Sequence, residues 1–483
     1  MDKFVSSISS LVWSDIFIYL CLCTGLYFSI RTGFLQVAYL KDMLRLLFAK
    51  KQGDEGISSF QAFALAISGR VGTGNIIGVA TAIFYGGPGA LFWMWAIAFL
   101  GSASAFVEAM LGQVYKQKDG SEFRGGPAYY IEKGLGVKWY AALFAILTII
   151  SAGLLLPGVQ SNAIASSIHN AFEIPTSYTG IAIVLLLVLI IFGGVKRLGT
   201  VAEYVVPFMA GGYILMTLVI IAMNFQQIPE VFKLIFSSAF SLDATFGGII
   251  GMAIAWGVKR GIYSNEAGQG TAPHAAAAAD VKHPAQQGLV QAFSVYVDTL
   301  FVCTATGLMI LFTGKYNVTN TDAAGKATSK LQENLPGVDY NGFTQAAVSH
   351  HFPGFGDGFV AVALFFFAFT TIMAYFYYAD TNIVYLVKNE KTQKIFGWIF
   401  KIIFLGSVYY GTVRTADTAW AIGDIGVGLM AWVNLIAILL MSKTAMKVWN
   451  DYKKKRKQGI ENPDFNPKEI GVENADYWES KNQ

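Results

Sequence analysis

The sequence predicts an all-α polytopic membrane protein of about eleven transmembrane helices, and two observations carry the prediction. Apolar residues make up 54% of the 483 and charged residues only 14%, against roughly 25% charged in a soluble domain; mean hydropathy is +0.48. Apolar runs of about 20 residues, the length that crosses hydrocarbon, recur along the chain. They lie near 14–32, 57–85, 88–114, 138–158, 179–195, 200–224, 245–275, 286–313, 357–386, 393–412 and 416–441.

The first run keeps its place in the mature chain. Its positive charges follow the apolar core and no A-x-A site is present, unlike a cleaved signal peptide. With Arg31, Lys41, Arg45, Lys50 and Lys51 behind it, 1–56 reads as an N-terminal helix and a basic interfacial segment. Basic residues then gather in alternate connections. Lys116, Lys118, Arg124, Lys133 and Lys138 lie in the third, Lys196 and Arg197 in the fifth, and Lys259, Arg260 and Lys282 flank the seventh. Lys388, Lys391 and Lys394 lie in the ninth. The second and fourth connections have none; Lys233 and Arg414 stand alone in the sixth and tenth, and a long eighth loop holds Lys315, Lys326 and Lys330. The positive-inside rule puts the N-terminus outside and the C-terminus in the cytoplasm, as a multi-pass protein of the cell membrane. Residues 442–483 are charged and polar and read as a solvated cytoplasmic tail whose "KKKRK" run lies against anionic lipid.

Within the second run, "GRVGTGNIIG" (69–78) interrupts two apolar helical stretches. Glycine lets the backbone leave helical geometry, and unwound backbone at membrane depth is tolerated only against protein or a water-filled cavity. A break there offers carbonyls to a cation and N–H groups to a carboxylate. Gly74 and Gly78 also form a GxxxG, a helix-packing signal, but packing does not account for Arg70, Thr73 and Asn75. No strand precedes the stretch, which excludes a Rossmann-type phosphate loop. The seventh run has the same character, with Trp256-Gly257, Lys259-Arg260 and the polar "SNEAGQGTAP" (264–273). Spans two to six (57–224) then form one five-span unit and spans seven to eleven (225–441) a second, inverted one. Inverted repeats whose first helices are both broken are the architecture of many secondary transporters. A channel or a polytopic enzyme needs no such symmetry.

"VGTGNIIGVATAI" (71–83), "VQSN" (159–162) and above all "KRGIYSNEAGQGTAP" (259–273) resemble the alanine/glycine:cation symporter family, and the resemblance runs across spans two to eleven. It implies sodium-coupled carriage of alanine or glycine on the five-plus-five inverted-repeat fold of the neurotransmitter:sodium symporters. Position by position, it implies that Gly74 and adjoining N–H groups receive the substrate carboxylate, helped by Thr73. Asn75 would serve both substrate and a first sodium ion. The carbonyls of Ser68, Val71 and Phe367 with Thr370 and Thr371 would form a second sodium site. Gln160, Asn162 and Trp256, the last at the second break, would line the pocket. Read from chemistry alone, the two threonines could instead bond back to their own helix carbonyls.

Ionisable residues inside spans are costly and need a reason. Asp298 is read either as a contributor to a cation site, sodium or proton, or as a partner of Arg70. Glu108 and Glu203 are read as solvated near helix ends. Asp380 falls by the ninth connection. Glu266 is read as a structural or gating residue tying the second break to Arg260 or to helix N-termini. Cys21, Cys23 and Cys303 lie in apolar runs, and the five histidines show no metal spacing. The expectation is therefore a carrier, not an enzyme, with no organic cofactor, no transition metal and no nucleic-acid partner. Its partners are sodium, a small amino acid and the lipid bilayer.

Overall fold

The computed structural model describes residues 2–49, 51, 53, 55–191, 194–240, 249–321 and 327–481. Lys50, Lys326 and the 245–248 start of the expected seventh run lie outside them. Among the described residues, eight helices are long and apolar enough to cross a membrane, and Ser59–Arg70 with Gly74–Gly86 makes a further pair bent by 53°. In chain order the main helices are α1 (Asp15–Thr32), α2 (Ser59–Arg70), α3 (Val79–Gly86), α4 (Ala90–Val114), α5 (Lys138–Ile150), α6 (Leu156–Phe172), α7 (Thr176–Ile191) and α8 (Gly194–Met223). They continue with α9 (Ile250–Asn265), α10 (Ala272–Ala277), α11 (Pro284–Val295), α12 (Thr304–Thr313), α13 (Gly356–Leu386), α14 (Glu390–Thr412), α15 (Ala416–Leu440) and α16 (Ser442–Lys457).

Two long helices organise the packing. α4 contacts α1, α9 and α11; α13 contacts α2, α5, α6 and α8. The second half of α4, "GSASAFVEAMLGQV", is buried throughout, and its small residues let neighbouring backbones approach closely, as membrane interiors require. The outward faces of α7, α8 and α14 expose Leu185, Leu189, Phe208, Leu215, Trp398 and Ile402, the apolar surface lipid would cover.

The two interruptions lie where the glycine-rich stretches stand. α2 starts at a capping box, in which Ser58 accepts from the Gln61 N–H and the Gln61 side chain accepts from that of Ser58. It ends at Val71, which is extended, and the chain resumes through a π-helical turn, Gly74–Gly78, before α3. α9 ends at Glu266 with φ +54°, followed by Gly268 at +82° and Gly270 at +85°. These left-handed conformations suit glycine. The second break therefore spans 266–271, and Trp256, expected beside it, lies inside α9.

Short hairpins mark the two faces: β1 (Gln117–Asp119) with β2 (Glu122–Arg124), and β3 (Asn317–Thr321) with β4 (Ala327–Glu333) on the opposite face. On the β1–β2 face, Ile57 forms an isolated parallel bridge with Ala279. This joins the start of the first broken helix to the chain just beyond the second.

The tail corrects the sequence expectation. It is not a solvated appendage: Trp449, Tyr452, Phe465, Val472 and Trp478 are buried, and the chain beyond α16 folds back onto the β1–β2 face. Each of these aromatic side chains removes about 150–250 Å² of surface from water, enough to anchor an otherwise polar segment.

Candidate cation and substrate site

Oxygen atoms converge where α2 ends. The Thr371 hydroxyl on α13 lies 3.2 Å from the Val71 carbonyl and 3.0 Å from that of Phe367. One hydroxyl proton satisfies one acceptor at a time, so this cluster is rich in lone pairs, which is what a hard cation needs. Gly72 is required here by space. A Cβ on it would stand 2.5 Å from Thr371 Oγ1 and 2.8 Å from Gln160 Oε1. Thr370, one position and about 100° around the helix, turns away. Its hydroxyl bonds back to the Phe366 and Phe367 carbonyls at 3.0 Å each and faces Met209. Its expected part in the cation site is thus not what its side chain does in this structure. Ser68 bonds its own helix through the Leu65 carbonyl, leaving only its backbone as a candidate ligand.

On the substrate side, the N–H groups of the break point at side-chain oxygens. Gly72 donates to Asn75 Oδ1 at 2.8 Å, and Thr73 to Gln160 Oε1 at 3.0 Å. Gln160, expected to line the pocket, has its amide oxygen on an N–H that a carboxylate could take. The hydroxyls of Thr73 and Tyr263 are buried beside each other, and neither bonds to any other group among the described residues. Gly74 abuts Ser264, near the end of α9, so the two interrupted helices meet here. Two expected pocket residues are elsewhere. Asn162 donates to the carbonyls of Gly411 and Arg414 at 2.9 and 2.6 Å, holding the end of α14. Trp256 stacks on Tyr85 at 4.4 Å beneath the side chains of Lys259 and Arg260.

Asp298 stands on a π-helical stretch, Tyr296–Cys303, between α11 and α12. Its carboxylate accepts from Asn75 Nδ2 at 2.6 Å, Ser264 Oγ at 3.0 Å and Thr299 Oγ1 at 2.7 Å. Arg70 is not its partner: Nη1 of Arg70 donates to the Gln291 carbonyl and to Ser294. Of the two readings of Asp298, contributor to a cation site or partner of Arg70, the direct Arg70 pair is not formed, and its carboxylate is held by Asn75 instead. Ser264, Thr299 and the Cys303 thiol join this group; the sequence assigns none of them a role, though Ser264 opens the polar stretch 264–273.

Glu108 is the larger omission. Rather than being solvated, it is fully buried, and it accepts from the N–H groups of Gly268 and Gly270 at 3.2 and 3.1 Å and from Asn434 at 2.7 Å. One carboxylate on α4 thus fixes the unwound second break, with α15 as its other wall. Glu266 takes the Thr271 hydroxyl at 2.8 Å and does not meet Arg260. Arg260 pairs instead with Asp424 at 2.8 Å, and Lys259 joins the same carboxylate at 2.7 Å. The Arg260 guanidinium lies over the Trp256 and Trp420 rings at 5.0 and 4.6 Å. Asp380, as expected, lies by the ninth connection, paired with Arg124 at 2.9 Å. Removing one partner of a buried pair costs about 3–5 kcal/mol. Asp424→Ala is therefore expected to lower the thermal unfolding midpoint of the purified protein in detergent, while Arg414→Ala is not.

The model of the sodium:alanine symporter family matches residues 1–467. The chain belongs to that family. It is a membrane transporter of the cation-coupled symport type. YrbD of Bacillus subtilis (strain 168), provisionally named a sodium/proton-dependent alanine carrier protein, is 58% identical over 100% of this chain and 98% of its own length. The sodium/proton-dependent alanine carrier protein of Bacillus sp. (strain PS3) is 52% identical over 91% of this chain and 97% of its own. The amino-acid carrier protein AlsT of B. subtilis is 43% identical over the full length of both. Among solved structures, a mutant of the Eremococcus coleocola manganese transporter aligns with TM-score 0.49 and 13% identity, over 80% of this chain and 77% of that one.

Proposed function

We propose that this family member imports alanine and glycine together with sodium across the cell membrane, N-terminus outside and tail in the cytoplasm, by alternating access. The observation that carries sodium coupling is the Thr371 hydroxyl set between the Val71 and Phe367 carbonyls. Backbone from the broken helix and a side chain from α13 meet there, so a cation would tie the two together. A second ion would sit among Asp298, Asn75, Ser264 and Thr299. The substrate carboxylate would displace the Gln160 oxygen from the Thr73 N–H, and the Tyr263 and Thr73 hydroxyls would complete its shell. Units 57–224 and 225–441 serve in this reading as the inverted halves that rock about the site, with Arg260 and Asp424 as the outer closure and Glu266 behind the second break. The driving force suffices: one charge moving through 100 mV gives about 2.3 kcal/mol, about fifty-fold accumulation.

Proton coupling is the second reading, favoured by a buried carboxylate at Asp298 and by relatives whose names pair sodium with protons. Uptake of labelled alanine and glycine into proteoliposomes separates them. Accumulation under an inward sodium gradient, absent with potassium, supports symport with sodium; accumulation only with acid outside supports the proton. Thr371→Ala is expected to raise the half-saturating sodium concentration about tenfold, with alanine KM at saturating sodium little changed. An unaltered sodium dependence would remove that threonine from the site.

A further inference from the structure

On the face where the first broken helix begins, two backbone bonds join the inner ends of both broken helices: Ile57 N–H to the Ala278 carbonyl and Asp280 N–H to that of Ile57, each 3.0 Å. The end of α4 reinforces this knot. Gln113 Nε2 and Lys116 Nζ both donate to the Ala279 carbonyl at 2.8 Å, and Gln113 also reaches Ala276. Any opening of the site toward this face must pull these contacts apart.

The segment beyond α15 is laid across the same knot. Asp451 on α16 meets His283, the N-cap of α11, at 3.2 Å. Phe465 N–H bonds the Lys282 carbonyl at 3.0 Å, and its ring packs on His283 and Trp478. Asn474 bonds the Lys133 carbonyl at 3.1 Å, and Asp476 pairs with Lys133 at 2.9 Å. Trp478 Nε1 then donates to the Gln113 carbonyl at 2.8 Å. The Tyr477 and Trp478 rings, with Phe123 of β2, enclose the Lys116 ammonium at 4.6, 5.3 and 4.1 Å. The segment therefore bridges three separate parts of the fold, ending on the two residues that grip Ala279. Holding an ammonium away from water is unfavourable, and these rings offset part of that cost. Lifting them would rehydrate the Lys116 ammonium, weakening its hold on Ala279, and uncover the Gln113 main-chain carbonyl.

We propose that residues 442–481 are a latch that holds the inner ends of both broken helices shut, with Trp478 over Lys116 and Gln113 as its catch. Its release lets the carrier open toward the cytoplasm, and its state sets the rate of that step without touching substrate. The assignment of this face to the cytoplasm rests on the sidedness proposed above; the latch contacts do not depend on the substrate or on the coupling ion.

Two measurements test it, neither requiring that alanine be the substrate. A cysteine at Ser59, buried at the start of α2, reports opening through its rate of reaction with a membrane-impermeant maleimide. The rate is corrected for the same chain without that cysteine. Trp478→Ala is expected to raise the rate at least fivefold; an unchanged rate in folded, monodisperse protein overturns the proposal. The second keeps the full chain: cysteines at Lys133 and Asn474 are joined by a cleavable bis-maleimide. Joining them is expected to slow labelling at Ser59→Cys at least tenfold, with recovery on cleavage. Undiminished labelling in fully joined protein overturns the latch.

Discussion

Glu108→Ala is expected to reduce sodium-driven alanine uptake by about a hundredfold or more. The carboxylate accepts from two backbone N–H groups of the second break and from the Asn434 amide. Without it the two backbone N–H groups have no acceptor in place, while Asn434 keeps the Gly268 carbonyl, and each orphaned donor costs about 1–3 kcal/mol. A total near 3 kcal/mol corresponds to about 150-fold, read as initial uptake per amount of monodisperse protein. Glu108→Gln sharpens the test. It preserves volume but turns one acceptor into a donor facing either Gly268 N–H or both Gly270 N–H and Asn434, so a partial loss of about tenfold is expected. A Gln variant with full activity would show that the break keeps its shape without the carboxylate.

Asp298→Asn is expected to weaken sodium activation by about thirtyfold while leaving alanine KM at saturating sodium within a few-fold. Three side chains now donate to this carboxylate. With a cation present the Ser264 and Thr299 hydroxyls can rotate and offer lone pairs instead, so one group of atoms serves both the empty and the loaded state. An interaction with a charged group is worth about 1.5–3 kcal/mol, and about 2 kcal/mol gives the stated factor. The outcome that would sink this assignment is unchanged sodium activation together with loss of any response to an acid-outside gradient. That would make Asp298 the proton carrier.

Much of the architecture was legible because hydrocarbon imposes a simple code. Apolar runs of sufficient length become helices, and glycine beside polar residues inside such a run becomes a break. "GRVGTGNIIG" and "NEAGQGT" are interrupted where composition said they would be. Side-chain partnerships were less legible, because they depend on how helices far apart in sequence face one another. The Arg260–Asp424 pair spans 164 positions, and Glu108 reaches Gly268 across 160; no local pattern announces either. Thr370 and Thr371 looked equivalent in the sequence, and only helix rotation separates the one that also meets Val71 from the one whose carbonyl partners all lie on its own helix. The tail misled for another reason. Its charge density suggested solvation, yet four aromatic residues spaced along it outweighed the charges once a partner surface existed.

The bridge between Ile57 and Ala279 bears on how faithfully the gradient is used. A carrier leaks when one passenger can leave through a partial opening while the other stays behind. Here the inner segments of both interrupted helices are stitched by main-chain bonds, so neither leaf of this door swings alone. In the proposed reading, ion and amino acid would be released through one common aperture. The ratio in which they cross is then a property of the backbone as much as of the residues that bind them.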